Sequence, residues 1–138
     1  ACLRPPEADM RKKAPTTILL VDDDPLIRGL GQELLEHLGY RVETAGDGSE
    51  ALKKFQGMER VDLVLLDYFL PGQNGCEVLK EFKLLDKRAR VLVASGFLSS
   101  QDMASLKKEG ASGMIYKPYR LAELQHRIKA VLRGRSGF

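Results

Sequence analysis

Only two cysteines, Cys2 and Cys76, occur in 138 residues, and no second ligand-type side chain stands beside either at metal-site spacing. That excludes a disulfide-stapled scaffold and a structural zinc site. Missing too is any apolar run near the ~20 residues that span a bilayer. Residues 1–15 hold no apolar stretch of the roughly 7–15 residues a secretory signal needs. Neither charge sign dominates: 22 Lys and Arg stand against 19 Asp and Glu, a net charge of +3. Residues 16–138 alone carry 18 bases and 17 acids. A body this close to neutral lacks the concentrated phosphate-neutralising charge of a dedicated nucleic-acid binder. What is present is 43% hydrophobic and 30% charged residues, the proportions of a globular domain and too apolar for a disordered chain. The length suits one domain, expected in the cytoplasm and out of contact with membrane.

Pro5, Pro6 and Pro15 and the lack of periodicity mark residues 1–15 as an expected leader or linker, disordered and preceding a domain at 16–134. Residues 135–138 read as a tail. Within the domain, short apolar runs alternate with helical patterns. Ile18–Val21, Leu63–Leu66, Val91–Ala94 and Gly113–Tyr116 read as buried strands, and Arg41–Thr44 alternates as an edge strand should. Asp24-Pro25 is a helix cap followed by a proline at the first helical position, and Gly39 stops that helix. Gly29 and Gly31 inside it each cost roughly 1 kcal/mol relative to Ala. Gly46-Asp47-Gly48 reads as a turn, and a long turn runs through Pro71, Gly72 and Gly75. Five strand-then-helix units predict an α/β fold: a doubly wound, five-stranded parallel sheet of flavodoxin-like (βα)5 type, strand order 2-1-3-4-5.

Ligands of such sheets bind outside the carboxyl ends of the strands. At those ends stand Asp22, Asp23 and Asp24, then Asp67, Ser95 and Lys117. Each has an ordinary explanation alone: Asp24 as a helix cap, Asp22 or Asp23 as a turn residue, Asp67 as a turn cap, Ser95 as a small residue beside Gly96, Lys117 as a surface lysine. Their coincidence at one end of different strands is the informative feature. Clustered carboxylates raise one another's pKa or recruit a cation. An all-oxygen, partly hydrated site suits Mg²⁺, which readily bridges to phosphate. A lysine and a hydroxyl opposite it would clamp a transferring phosphoryl group.

The stretches ILLVDDDP (18–25), LLDYFLPGQNG (65–75), Ser95 after VLVA and Lys117-Pro118 resemble the receiver domain of two-component response regulators. The likeness covers residues 16–134, with 28 residues from Asp67 to Ser95 and 22 from Ser95 to Lys117. The resemblance implies Asp67 as phospho-acceptor. It implies Mg²⁺ (or Mn²⁺) held by Asp22, Asp23, Asp67 and the carbonyl of Phe69, with Asp23 the more direct ligand. Ser95 is implied as the switch hydroxyl, Lys117 as its charged companion and a cis Lys117-Pro118 bond. One position departs: many receivers carry an aromatic residue three before the lysine, where this chain has Met114, while Tyr116 directly precedes Lys117.

The implied partner is a histidine kinase or histidine phosphotransfer domain, with a homodimer left open and no nucleic acid bound directly. The PLIR, AGDG and KPYRL stretches and the missing initial Met are most similar to a receiver excised from a hybrid histidine kinase, a stand-alone response regulator being the alternative. Such a domain assists its own phosphorylation and dephosphorylation and is not an enzyme in the ordinary sense. A haloacid-dehalogenase-type phosphatase could use Asp22 and Asp24, but Leu26 stands where it needs Thr or Val and no acidic pair follows Lys117. A flavin module would need a Ser/Thr/Gly-rich loop after the first strand, where three aspartates would repel phosphate. A docking-only pseudo-receiver lacks a key residue, and none is missing here.

Overall fold

The computed structural model describes residues 15–138; residues 1–14 of the expected leader lie outside the described residues. Five strands, β1 (Thr17–Val21), β2 (Arg41–Ala45), β3 (Leu63–Asp67), β4 (Val91–Ser95) and β5 (Gly113–Tyr116), form one sheet. All neighbours are parallel, in the order β2-β1-β3-β4-β5. This is the predicted doubly wound flavodoxin-like architecture. The connecting helices are α1 (Pro25–His37), α2 (Gly48–Gly57), α3 (Gly75–Leu85), α4 (Ser100–Lys108) and α5 (Leu121–Leu132).

The continuous apolar strands divide by alternation between two cores. Ile18 and Leu20 of β1 and Leu63 and Leu65 of β3 pack with Leu35 of α1 and Leu124, Ile128 and Val131 of α5. Leu19, Val21, Val64 and Leu66 face the other way, onto Ala51 of α2, Val78, Leu79 and Phe82 of α3 and Leu106 of α4. Each strand is therefore buried on both faces and reads as an unbroken hydrophobic run. Gly31 lets α1 approach closely: an added Cβ would stand 3.0 Å from the Leu20 side chain and 3.3 Å from that of Tyr119. Nothing in the structure explains Gly29.

Three local expectations change. Gly48 and Gly75 begin helices rather than belong to turns, because Asp47 and Asn74, just before them, accept from the free N–H groups of Glu50 and Glu77. Within the expected long turn, Phe69–Leu70 and Gln73–Asn74 form a small antiparallel ribbon. Of the four residues expected as a tail, Gly137 returns to the sheet: it bridges Gly113 on the outer edge of β5, and Arg127 donates to its carbonyl at 2.6 Å.

Candidate functional site

Register sets the site. Val21 lies opposite Leu66, and Asp67 lies opposite Ala94. Asp22 and Asp67 are thus the next residues on adjacent central strands. Each follows an apolar segment that is buried along its length, which holds the carboxylates at the sheet rim out of water. Asp22 is fully buried, and Asp67 is 6% exposed. Asp23 is exposed, yet one oxygen from each of Asp22, Asp23 and Asp67 lies within 4.8 Å of the others. Asp24 is separate: its carboxylate accepts from the N–H groups of Leu26 and Ile27 and caps α1.

Lys117 enters from the end of β5, its bond to Pro118 being cis. Its Nζ donates to Asp22 Oδ2 at 2.7 Å and stands 3.3 Å from Asp67 Oδ2. Burial works against the ammonium, but the hydrogen bond to Asp22 and the charges of Asp67 and Asp22 outweigh it and hold its pKa above the ordinary lysine value. One half-buried cation therefore serves two buried anions, leaving the centre short of positive charge. The shortfall shows at Asp67. Burial, with the charge of Asp22 behind it, pushes its carboxyl up to about 6 despite the opposing pull of Lys117. Three carboxylates, too little cation and oxygen donors only are a donor set that fits a hard divalent ion.

Ser95 sits at the rim of β4, 1% exposed. Its hydroxyl donates to the Phe97 carbonyl at 2.7 Å and accepts from the Phe97 N–H at 3.2 Å. The structure thus brings Asp22, Asp23, Asp67 and Lys117 into one cluster, whereas the Ser95 hydroxyl is engaged by its own loop. The Phe69 N–H reaches Asp67 Oδ1 at 3.4 Å, and its side chain is largely exposed. Met114 is buried in the core with Leu98 and Leu106, and Tyr116 lies half-exposed on the surface.

Two further residues attend the cluster that strand-end reasoning does not single out. Arg28, in the first turn of α1, donates to the Asp22 carbonyl at 2.8 Å. Its only signal is a basic residue one turn into the helix that follows the acids. Tyr119, two residues past Lys117, is nearly buried, and burial together with the charges of Asp22 and Asp67 raises its phenol pKa.

A family model described as the response regulator receiver domain matches residues 18–129. The chain belongs to the response regulator receiver family. The receiver is 36% identical over 115 residues to the sporulation initiation phosphotransferase F of Bacillus subtilis, covering 83% of this chain and 92% of that protein. It is 39% identical over 116 residues to the transcriptional activator protein PfeR of Pseudomonas aeruginosa, covering 84% of this chain but 37% of that protein. The chain spans about half or less of the length of PfeR and of other curated relatives such as TrcR and TcrX of Mycobacterium tuberculosis and PhoP of Bacillus subtilis. Among solved structures, the CheY-like receiver domain protein of Methanospirillum hungatei superposes with a TM-score of 0.82 at 31% identity, covering 88% of this receiver and 96% of that chain. CheY in a Borrelia burgdorferi complex with CheX, BeF3 and Mg²⁺ gives 0.83 at 28% identity, with coverage of 88% and 92%. The chain is thus a receiver domain of the response regulator type, with an acidic cluster at Asp22, Asp23 and Asp67 that could hold a metal.

Proposed function

We propose that Asp67 accepts a phosphoryl group from a phosphohistidine of a histidine kinase or histidine phosphotransfer domain. A carboxylate oxygen of Asp67 bonds to phosphorus as the phosphorus–nitrogen bond breaks. The electron pair of that bond stays on the departing imidazole, and an acyl phosphate forms. Lys117 supplies fixed positive charge beside the transferring oxygens, and Asp22 keeps it aimed. Asp22, Asp23, Asp67 and the Phe69 carbonyl would hold Mg²⁺ or Mn²⁺. When bound, that ion neutralises charge on the phosphoryl oxygens.

The observation that carries this reading is the single Lys117 ammonium shared between two buried carboxylates, a charge-poor centre suited to one more cation and a phosphoryl group. Ser95 then leaves the Phe97 backbone to bond the phosphoryl oxygens, which biases the loop after β4 and the surface near Tyr116. With Met114 in the aromatic position, that position supplies no ring to the switch. The setting we favour is a receiver within a cytoplasmic hybrid histidine kinase. The near-complete coverage of the sporulation phosphotransferase supports a stand-alone regulator as the second reading. An antibody to this domain would separate the two, by a band far larger than this chain or one of its size.

The test is intact mass after incubation with Mg²⁺ and acetyl phosphate, beside Asp67→Asn. Gain of one phosphoryl group by the parent and none by the variant is the expected result. Gain by both would move the acceptor elsewhere, and gain by neither would favour a docking module over an acceptor of small phosphodonors.

A further inference from the structure

The residue after the acceptor has a connection that the site chemistry leaves unused. Tyr68 is 5% exposed, yet its hydroxyl lies 3.1 Å from Asp102 Oδ1, across 34 residues of sequence. Its backbone is held on both sides, the N–H donating to the Ala94 carbonyl of β4 and the carbonyl accepting from Gly75. The ring lies against the first turn of α3 so closely that a Cβ on Gly75 would be 2.9 Å from its Cδ1 and 2.8 Å from its Cα. Tyr68 is therefore packed closely against the start of α3, which restricts where its hydroxyl can lie.

Asp102 is the third residue of α4 and half of that helix's capping box. Its N–H donates to Ser99 Oγ at 3.0 Å, and its Oδ2 accepts from the Ser99 N–H at 3.4 Å. One carboxylate oxygen thus closes the N-terminus of α4, and the other receives the phenol. This N-terminus ends the loop that begins at Ser95, whose hydroxyl is bonded within that loop to Phe97. Met114, buried in the same core as Tyr68, offers no polar group for the same task.

We infer that the Tyr68–Asp102 hydrogen bond is a latch that holds α4 in its unphosphorylated position, making Tyr68 a positioning residue that links the acceptor strand to the moving loop. The inference rests on the receiver reading. Moving Ser95 toward a phosphoryl group on Asp67 remakes residues 96–99, and Ser99 carries Asp102 with it. The latch resists that movement by its own strength and no more. A hydrogen bond to a charged group bounds the effect at about a hundredfold in the resting-to-switched ratio.

The experiment compares wild type, Tyr68→Phe and Asp102→Asn by amide NMR, with and without acetyl phosphate and Mg²⁺. Asn keeps an acceptor for the phenol, so Asp102→Asn is the conservative partner. The expected result is that unphosphorylated Tyr68→Phe moves the amide shifts of Ser99–Asp102 part-way along the line to phosphorylated wild type, while Asp102→Asn moves them less. Half-saturation should need several-fold less acetyl phosphate in Tyr68→Phe. If wild type takes up phosphoryl but the resting α4 shifts of Tyr68→Phe lie off that line, or its half-saturation is unchanged, the latch is overturned and the receiver reading stands. If wild type takes up none, both fall together.

Discussion

Leu66 and Asp67 are neighbours on β3, both almost completely buried, and they act on the fold in opposite directions. Leu66 joins a core with Leu79, Phe82 and Val93, where apolar burial stabilises. Asp67, one peptide further, sits beside a second buried carboxylate with a lysine to share, and its ionised form is disfavoured there. Burial is therefore not one quantity in this molecule. Along the strands it stabilises the sheet, and one residue past the apolar run it stores electrostatic cost where phosphate and metal chemistry needs it.

The largest test of that contrast is Leu66→Ala, which should lower unfolding free energy by about 2–5 kcal/mol through lost burial and a cavity, read by urea denaturation. Asp67→Asn should do the reverse. A carboxyl raised to about 6 binds more protons in the folded than in the unfolded state between about pH 4 and 6, so its contribution to stability is present below that window and lost as pH rises through it. Metal-free wild type should therefore lose about 1–3 kcal/mol across the window. Asp67→Asn should lack that drop and be the more stable protein at pH 7. Equal pH profiles would show that Asp67 is not strained.

Lys117→Ala breaks the comparison from the side of the cation. It removes the one ammonium between Asp22 and Asp67 and leaves a fully buried carboxylate uncompensated. Stability at pH 7 should fall by about 1–3 kcal/mol, and millimolar Mg²⁺ should restore more of it than it adds to wild type. A thermal-shift titration reads both numbers. If Mg²⁺ adds no more to the variant than to wild type, the ion does not act on the charge that Lys117 balances.

The same contrast explains which parts of the structure are legible in sequence. Buried strands announce themselves, because residues such as Ile18–Val21 must be apolar on both sides, and Asp24-Pro25 and Gly39 mark both ends of α1 chemically. The gathering of Asp22, Asp67 and Lys117 follows from topology, since each ends a parallel strand of one sheet. Other features leave weaker traces. The Phe69–Leu70 and Gln73–Asn74 ribbon has two residues per strand, too few to alternate. Gly48 and Gly75 look like turn residues because glycine signals a break, although the caps just before them start helices. The return of Gly137 to β5 is made by backbone on a residue without a side chain. The bonds from Arg28 to the Asp22 carbonyl and from Tyr68 to Asp102 depend on distances in space that no local pattern encodes. Ser95 lies between these cases: its place at the end of β4 is readable, but its engagement with Phe97 is a detail of loop geometry.

The finest division lies within the aspartate run itself. Asp22 and Asp23 contribute to the acidic cluster, whereas Asp24 spends its carboxylate on the N–H groups of Leu26 and Ile27. Asp24→Ala should therefore cost about 1 kcal/mol of stability as a lost helix cap and leave the Mg²⁺-dependent gain in melting temperature unchanged. Asp23→Ala should do the opposite, because an exposed carboxylate with no structural partner among the described residues costs little to remove, while the cluster loses one of its three oxygen donors. Measuring melting temperature with and without Mg²⁺ for both variants resolves the pair. A loss of the Mg²⁺ response in Asp24→Ala would mean that cap and cluster are not separate, because its N–H donates to Asp22 Oδ1 at 3.0 Å and a frayed helix start would then release the buried carboxylate as well.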